Sequence, residues 1–301
     1  MATRRAVLPQ DASADQTLTF DHGAPWWVSS TSNFAEFLKT AEAQGAVVQW
    51  TPRMKGQSAH ERAPSESQSW VAQPDMPGLV RWMLQGIAVH TGCTIGALHR
   101  QESGWELTGD GMPAASGFDA VAVAIPPAQA AALWAPHTAD WTARAQAQHM
   151  SPCWTLMGVT DDPFNKPAAG ATWDVLTPAS GPLSLVVRQD GKPGRPAHAG
   201  QAHWVAHATV DWTEQHLESA PDGAMAALKA ALESALGGAL TWRHAVVHRW
   251  RYAQWSGAAP QSMPCWWDGS AGLGACGDYL GGGGVEGAWL SGGNLARAIL
   301  G

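Results

Sequence analysis

The residues best placed to do chemistry lie at the C-terminus, in GLGACGDYLGGGGVEGAWLSGGNLARAIL. Two GxGxxG matches occur there, Gly272–Gly274–Gly277 and Gly282–Gly284–Gly287, and the second opens a predicted helix. A dinucleotide fingerprint also needs an acidic residue about 20 positions later for the ribose, and the sequence stops at Gly301 before such a unit is completed. A second arrangement uses all of these residues. A strand over 273–276 delivers Gly277 and Asp278 at its carboxyl end, glycines let the backbone approach a ligand closely, and a helix starting near Glu286 turns its free N–H groups forward. A helix N-terminus favours negative charge. The natural guests are the pyrophosphate and the N1/C2=O edge of a flavin dinucleotide, with Asp278 accepting hydrogen bonds from ribityl hydroxyls. The same residues also suit a tight turn into an amphipathic helix.

The elements that must hold this module are legible as follows. Leu18 and Phe20 alternate into the turn DHGA (21–24), which predicts a short strand ending in a loop that carries Trp26 and Trp27. Ser32 or Asn33 caps a predicted helix with Phe34, Phe37 and Leu38 on one side, ended by Gly45. VVQW (47–50) reads as a strand, 51–68 as an exposed loop, and SWVAQ as extended. Leu79, Trp82, Met83 and Ile87 form one stripe of a helix closing near Gly86. The segment 88–111 reads as strand, link, strand, turn at 102–104, strand. FDAVAVAIPPAQAAALW predicts a buried, parallel strand stopped by Pro126 and Pro127, then a short helix. CWTLMGVT, ATWDVLT, LSLVVRQ and HWVAHATV predict an antiparallel sheet. Helices over 213–217 and 223–236, the latter closed by Gly237 and Gly238, precede a strand in AVVHRWRYA.

Composition bounds the function. At 301 residues the length favours two domains. Apolar residues make up 45% and charged residues 14%, and the apolar runs fall short of the roughly 20 residues a membrane span needs. A net charge of −7 with scattered Lys and Arg argues against nucleic acid or anionic lipid as partners. Cys93, Cys153, Cys265 and Cys276 form no CxxC pair, which predicts free thiols and a reducing compartment. No h-region follows the N-terminal arginines, so the cytoplasm is the expected location. The 18 Trp against 2 Tyr and 5 Phe read either as ligand-stacking platforms or as a packing preference. His22 and His248 are declined as acid–base groups. No Ser/His/Asp constellation and no metal-ligand spacing occurs among the twelve His. No catalytic residue and no metal are therefore assigned.

CGDYLGGGGVEGAWLSG resembles the C-terminal flavin-binding signature of renalase-like proteins in the flavin amine-oxidase group, and HRWRYA (248–253) resembles the strand before it. ATRR (2–5), DHGA, PGLVRWM, FDAVAVAIPPAQAAAL and PCWTLM (152–157) agree, so the resemblance spans nearly the whole chain. In that family ATRR directly follows a glycine-glycine-arginine-methionine stretch, itself preceded by strand, GxGxxG turn and helix. The resemblance thus implies that about 30 residues, one βαβ unit, belong before Met1. A start assigned too late, a truncated or interrupted gene, and a protein working without that pyrophosphate contact are the three explanations left open.

The resemblance implies FAD as cofactor, with Asp278, Gly284, Val285, Glu286, Gly287 and Ala288 along it beside Gly277, and Gly23 and Ala24 against the flavin ring. Ile95 matches the position whose backbone brackets the adenine. Arg4 and Arg5 are expected to supply positive charge near the cofactor. The family's glutamine and aromatic after DHGA are replaced here by Pro25 and Trp26. Trp250 and Tyr252, two apart on a strand and so on one face, are expected with Trp26 to line the substrate cavity. The expected fold is α/β (α+β): an incomplete FAD/NAD(P)-binding Rossmann-like domain from 1–30, 74–135 and 268–301, and an antiparallel-sheet substrate domain from 31–73 and 136–267. The expected activity is hydride transfer from an amine or reduced nicotinamide-like small molecule to flavin, with reoxidation by oxygen. The alternative is a non-catalytic remnant with weak or no FAD binding. A Trp-rich carbohydrate-binding module would need an all-β pattern, which the predicted helices oppose. The residues do not specify an oligomeric state.

Overall fold

Period-two alternation builds the largest element of the chain, a six-stranded sheet with one face for a helix and the other for a β-ribbon. The computed structural model describes residues 1–8, 16–56, 68–112, 115–164, 173–257 and 263–301. In chain order the elements begin with β1 (Arg4–Leu8), β2 (Gln16–Phe20), β3 (Trp27–Val28), α1 (Ser32–Ala43), β4 (Val47–Gln49), β5 (Met54–Gly56), β6 (Ser69–Ala72) and α2 (Gly78–Met83). There follow β7 (Thr94–Gln101), β8 (Gly104–Asp110), β9 (Ala115–Phe118), β10 (Val121–Val123), α3 (Pro127–Trp134) and α4 (Ala139–Gln146). The large sheet comes next, with β11 (Met150–Asp161), β12 (Val175–Thr177), β13 (Leu183–Arg188), β14 (Gln201–Ala208), α5 (Val210–Gln215), α6 (Pro221–Leu236) and β15 (Trp242–Trp255). The chain closes with β16 (Trp266–Asp268), β17 (Leu273–Ala275), α7 (Asp278–Gly281) and α8 (Gly284–Leu300).

Backbone packing divides the chain into two compact units, Met1–Met83 with Ser151–Ala253, and Leu84–Met150 with Gln254–Gly301. This division places residues 1–30 with the large sheet, whereas the sequence reading grouped them with the C-terminal module by expected cofactor contact.

In the first unit the sheet runs β15-β11-β14-β13-β12-β5, with β11–β14, β14–β13 and β13–β12 antiparallel and β12–β5 parallel. Trp154 and Leu156 of β11 and Trp204 and Ala206 of β14 pack with Ala224, Leu228 and Leu232 of α6. The intervening residues, Met157, Val159 and Val205, pack instead with Leu18 and Phe20 of the β1–β2 ribbon. Full burial of Leu228 and Leu232 stabilises the α6 contact by about 1.5–3 kcal/mol each. Gly237, at φ 85°, closes the helix in the left-handed conformation that favours glycine.

The second unit has a β10-β17-β16 sheet, in which β10 and β17 are parallel, and an antiparallel β7-β8-β9 sheet. Its core joins Trp134, Leu98, Trp105, Trp266, Leu273 and Tyr279. Among the tryptophans, Trp27, Trp50, Trp70, Trp105, Trp134, Trp154, Trp173, Trp204 and Trp266 are buried, so packing accounts for half of the 18.

Several local expectations shift. The α1 cap is Thr31 rather than Ser32 or Asn33: its extended backbone lets Oγ1 accept from the Phe34 N–H at 3.4 Å. Within the expected loop 51–68, β5 pairs with β12, and 57–67 lie outside the described residues. The helix expected to reach Gly86 ends at Met83, because of its stripe only Leu79 is buried while Met83 and Ile87 are exposed. The expected strand before the 92–93 link is absent, and α4 and β9 were not anticipated. The helix expected at 213–217 spans Val210–Gln215, because Thr209 caps it through the Trp212 N–H.

Candidate functional site

In the second unit, β17 leads into a backbone arrangement that glycine makes possible. The Cys276 N–H donates to Val123 O, extending the β10–β17 pairing beyond the strand. The Gly277 N–H is donated to Ser291 Oγ at 3.0 Å, so this amide is engaged within the protein. Gly282, Gly283 and Gly284 have φ of 96°, 90° and 68°, the left-handed region that side-chain-bearing residues avoid. The glycine cluster 281–284 thereby reverses the chain between α7 and α8. At Gly281 a β-carbon would lie 1.8 Å from Gly287 O, so the two helices meet backbone to backbone.

The front of α8 is open. Gly282, Gly284 and Ala288 are exposed, and a β-carbon built on Gly282 or Gly284 meets no atom within 4 Å. No side chain caps the helix at Gly283, and one built on Gly283 would touch the Trp255 ring at 3.6 Å. Asp278 Oδ1 accepts from the Tyr279 N–H at 3.0 Å. Burial raises the Asp278 carboxyl above its ordinary value, with the Tyr279 N–H working against that rise. Such a carboxylate gains most from further hydrogen-bond donors. Val285 and Glu286 are half-buried and Gly287 buried. Ile95, half-buried on β7, packs its side chain against the unit's core and sits at a bulge.

In the first unit Asp21, the first residue of DHGA, is fully buried. Its Oδ2 accepts from Gln189 Nε2 at 2.9 Å, Lys192 Nζ at 3.2 Å and Arg195 Nε at 2.9 Å. Its Oδ1 accepts from Thr3 Oγ1 at 2.6 Å and from the Met76 N–H at 3.3 Å. Burial pushes this carboxyl up, but Lys192 and Arg195, with the Thr3 and Gln189 hydrogen bonds, outweigh it and hold the group well below the usual carboxylate range. Burial lowers Lys192 to about 8 against the attraction of Asp21. The ion cluster fixes the loop that presents Gly23 and Ala24, both half-buried, and Gly23 N–H donates to Ala2 O.

Beside it lies a histidine–tryptophan cluster. The His22 ring stacks on Trp250 at 5.1 Å and meets His248 edge-on at 5.0 Å, and Trp250 Nε1 donates to His22 O at 3.1 Å. Trp26 packs edge-on against Trp50 at 5.9 Å, while Tyr252 is exposed. The ribbon alternation sends Arg4 and Arg5 to opposite faces of β1. Arg5 pairs with Asp75 at 3.3 Å, and Asp75 also holds Arg81. Arg4 is exposed and lies opposite Phe20 in the ribbon register.

The sequence model of flavin-containing amine oxidoreductases matches residues 41–300. The chain belongs to this family. Among solved structures it is similar to the protein from Exiguobacterium sp. 255-15 named as a protoporphyrinogen oxidase, with TM-score 0.59 and 12% identity over 77% of this chain and 52% of that one. It is also similar to an oxidoreductase from Methanosarcina mazei, with TM-score 0.52 and 15% identity over 77% and 56% of the two chains. The chain spans about half the length of these two structures, and at such identities the likeness is one of fold.

The family's description, flavin-containing amine oxidoreductase, implies a flavin as the cofactor. The α8 front fits such a group: its first turn, uncapped by any side chain and exposed at Gly284, offers donors to phosphate or to an electron-rich ring edge, and Asp278 offers an acceptor to hydroxyls. The sequence reading missed Asp21, Lys192, Arg195 and Gln189 as a unit, because their pairing spans some 170 positions of chain. The histidines carried a weak signal, since His203 and His207 on β14 and His244 and His248 on β15 recur at even spacing. Among the described residues, no group of His, Cys, Asp and Glu is arranged to hold a metal, and no helix is long and apolar enough to cross a membrane.

The cluster makes the fold acid-sensitive. Burial, aided by the charges of His248 and Arg4, lowers His22 to about 4 despite the hydrogen bond to Phe20 O; burial lowers His203 to about 4 as well. A histidine whose folded value lies below its unfolded value must be kept neutral, so stability is lost as pH falls from about 6.5 toward 4. His22 and His203 are 7% and 1% exposed, so each contributes on the order of 3 kcal/mol to that loss. Thermal unfolding followed from pH 7 to pH 4.5 is expected to show a falling midpoint, and His203→Gln is expected to flatten the decline. A midpoint independent of pH over that range would contradict the burial of neutral imidazoles.

Proposed function

We propose that the chain is an FAD-dependent oxidoreductase of renalase-like type, taking a hydride from an amine or a reduced nicotinamide-like small molecule. The observation that supports this most is the open, uncapped front of α8 beside Asp278 in a chain of the flavin-containing amine oxidoreductase family. FAD, when bound, would supply the electron sink for the hydride and the reactivity toward oxygen. The protein's part is to hold, orient and exclude water. The first-turn amides at Gly284 and Val285 donate to the anionic parts of the cofactor, Asp278 and Glu286 accept from its hydroxyls, and Gly277, Gly287 and Ala288 complete that wall. The resemblance assigns Gly23 and Ala24, in the loop that Asp21 holds, to the flavin ring and Ile95 to the adenine. Trp26, Trp250 and Tyr252 line the substrate side. In this reading 1–30, 74–135 and 268–301 serve the cofactor, 31–73 and 136–267 serve the substrate, and the protein works in the cytoplasm.

The test of the activity is anaerobic. FAD-loaded protein is mixed with a panel of amines and dihydronicotinamides, and the visible absorption of the flavin is followed before and after oxygen is admitted. Bleaching that oxygen reverses, with peroxide formed, is expected. A flavin that no member of the panel bleaches would overturn the proposed reaction. Asp278→Ala removes a charged acceptor and is expected to weaken FAD binding by about 10- to 100-fold, equivalent to about 1.5–3 kcal/mol, without loss of cooperative unfolding. An unchanged FAD affinity in this variant would remove Asp278 from the site.

A further inference from the structure

The inner face of β15 carries His244, His248, Trp250 and Tyr252 at alternate positions, with Val246 packed among the ribbon residues. Phe20 stacks on His244 at 6.1 Å, so the ribbon end that holds Arg4 opposite Phe20 lies over this face. Electrostatics agree: after burial, the influence that lowers His244 and His248 is the charge of Arg4. The nearby carboxylates are committed elsewhere. Asp21 is enclosed by Lys192, Arg195, Gln189 and Thr3. Glu218 binds Arg249 and Arg251, which alternate to the opposite face of β15. Asp75 binds Arg5 and Arg81. A cationic ammonium ligand would meet a guanidinium here, whereas an anion would meet a fixed positive charge and an imidazole able to donate.

We propose that this face recognises a ring-bearing substrate through an anionic group, carboxylate or phosphate, with Arg4 and His248 as the partners of the anion and Trp250 with Tyr252 as the bed for the ring. The inference deepens the flavin reading and rests on it only in calling the ring compound a substrate. Arg4 thereby becomes a specificity-determining residue that favours anionic over cationic ring compounds. Aromatic stacking supplies contact that does not depend on charge, so the two contributions separate experimentally.

The experiment uses the full chain and three probes of one shape: benzoate, benzylamine and benzyl alcohol, titrated by ligand-observed NMR with and without FAD. Benzoate is expected to bind at least about tenfold more tightly than benzylamine, a difference of about 1.4 kcal/mol. Arg4→Gln is expected to abolish that preference and leave benzyl alcohol unchanged, Arg4→Lys to restore part of it, and Trp250→Ala to weaken all three probes. Benzylamine binding as tightly as benzoate, a benzoate affinity indifferent to Arg4→Gln, or no benzoate binding at all would overturn the proposal. A parallel FAD titration separates the sources of the anion. If Arg4→Gln weakens FAD by the same factor as benzoate, Arg4 serves a cofactor phosphate and the substrate assignment falls. If the chain takes no FAD while the benzoate preference still follows Arg4, the flavin reading fails and the anion site stands.

Discussion

Asp21→Ala is expected to destabilise the Met1–Met83 and Ser151–Ala253 unit by about 3–5 kcal/mol, enough to leave it largely unfolded under mild denaturant. The reason is the composition of the cluster. One carboxylate faces two cations, Lys192 and Arg195, whose side chains are fully buried with it. Removing the carboxylate leaves both without their counter-charge, in a place where water does not replace it. Lys192, already lowered to about 8, is the member of the cluster that can release its proton. Asp21→Asn combined with Lys192→Met is therefore expected to recover part of the loss of Asp21→Asn alone, because it restores the original net charge of the cluster. Urea unfolding of the three variants checks this. Equal stability of wild type and Asp21→Ala would mean that the ion cluster does not hold the DHGA loop.

Gly281→Ala is expected to reduce FAD affinity by at least about 100-fold, a loss of about 3 kcal/mol. The added methyl would sit 1.8 Å from Gly287 O, and a backbone oxygen within the first turn of α8 has no side-chain freedom with which to yield. The contact is relieved only by moving α8 away from α7, which displaces the amides proposed to face the cofactor. Gly282→Ala is the informative control. Its methyl meets open space, so its cost is confined to the left-handed φ of 96°, on the order of 1 kcal/mol. If both variants bind FAD like wild type, the α7–α8 junction does not position the cofactor.

The parts of this arrangement that sequence disclosed are those with local causes. The 281–284 glycines, the strand before Asp278, and the period-two runs of β11, β13 and β14 each announce themselves within a few residues. The parallel β10 was legible because an apolar run ended at Pro126 and Pro127. What stayed hidden depends on distant partners. Thr31 caps α1 through backbone conformation, β5 becomes a strand only because β12 accepts it, and Met83 and Ile87 keep a helical spacing that no neighbour buries. Arg4 and Arg5 look equivalent in sequence, yet the ribbon sends Arg5 to Asp75 and sets Arg4 opposite Phe20. Asp21 reads as a turn residue until the loop after β13 brings Lys192 and Arg195 to it.

FAD titration into the purified full chain, followed by flavin fluorescence polarisation and by the visible spectrum, puts the α8 front to its most direct test. The expected result is a saturable rise in polarisation at one FAD per chain with a perturbed flavin spectrum, weakened by Asp278→Ala and lost in Gly281→Ala. Free-flavin polarisation and an unshifted spectrum at every protein concentration would contradict the account.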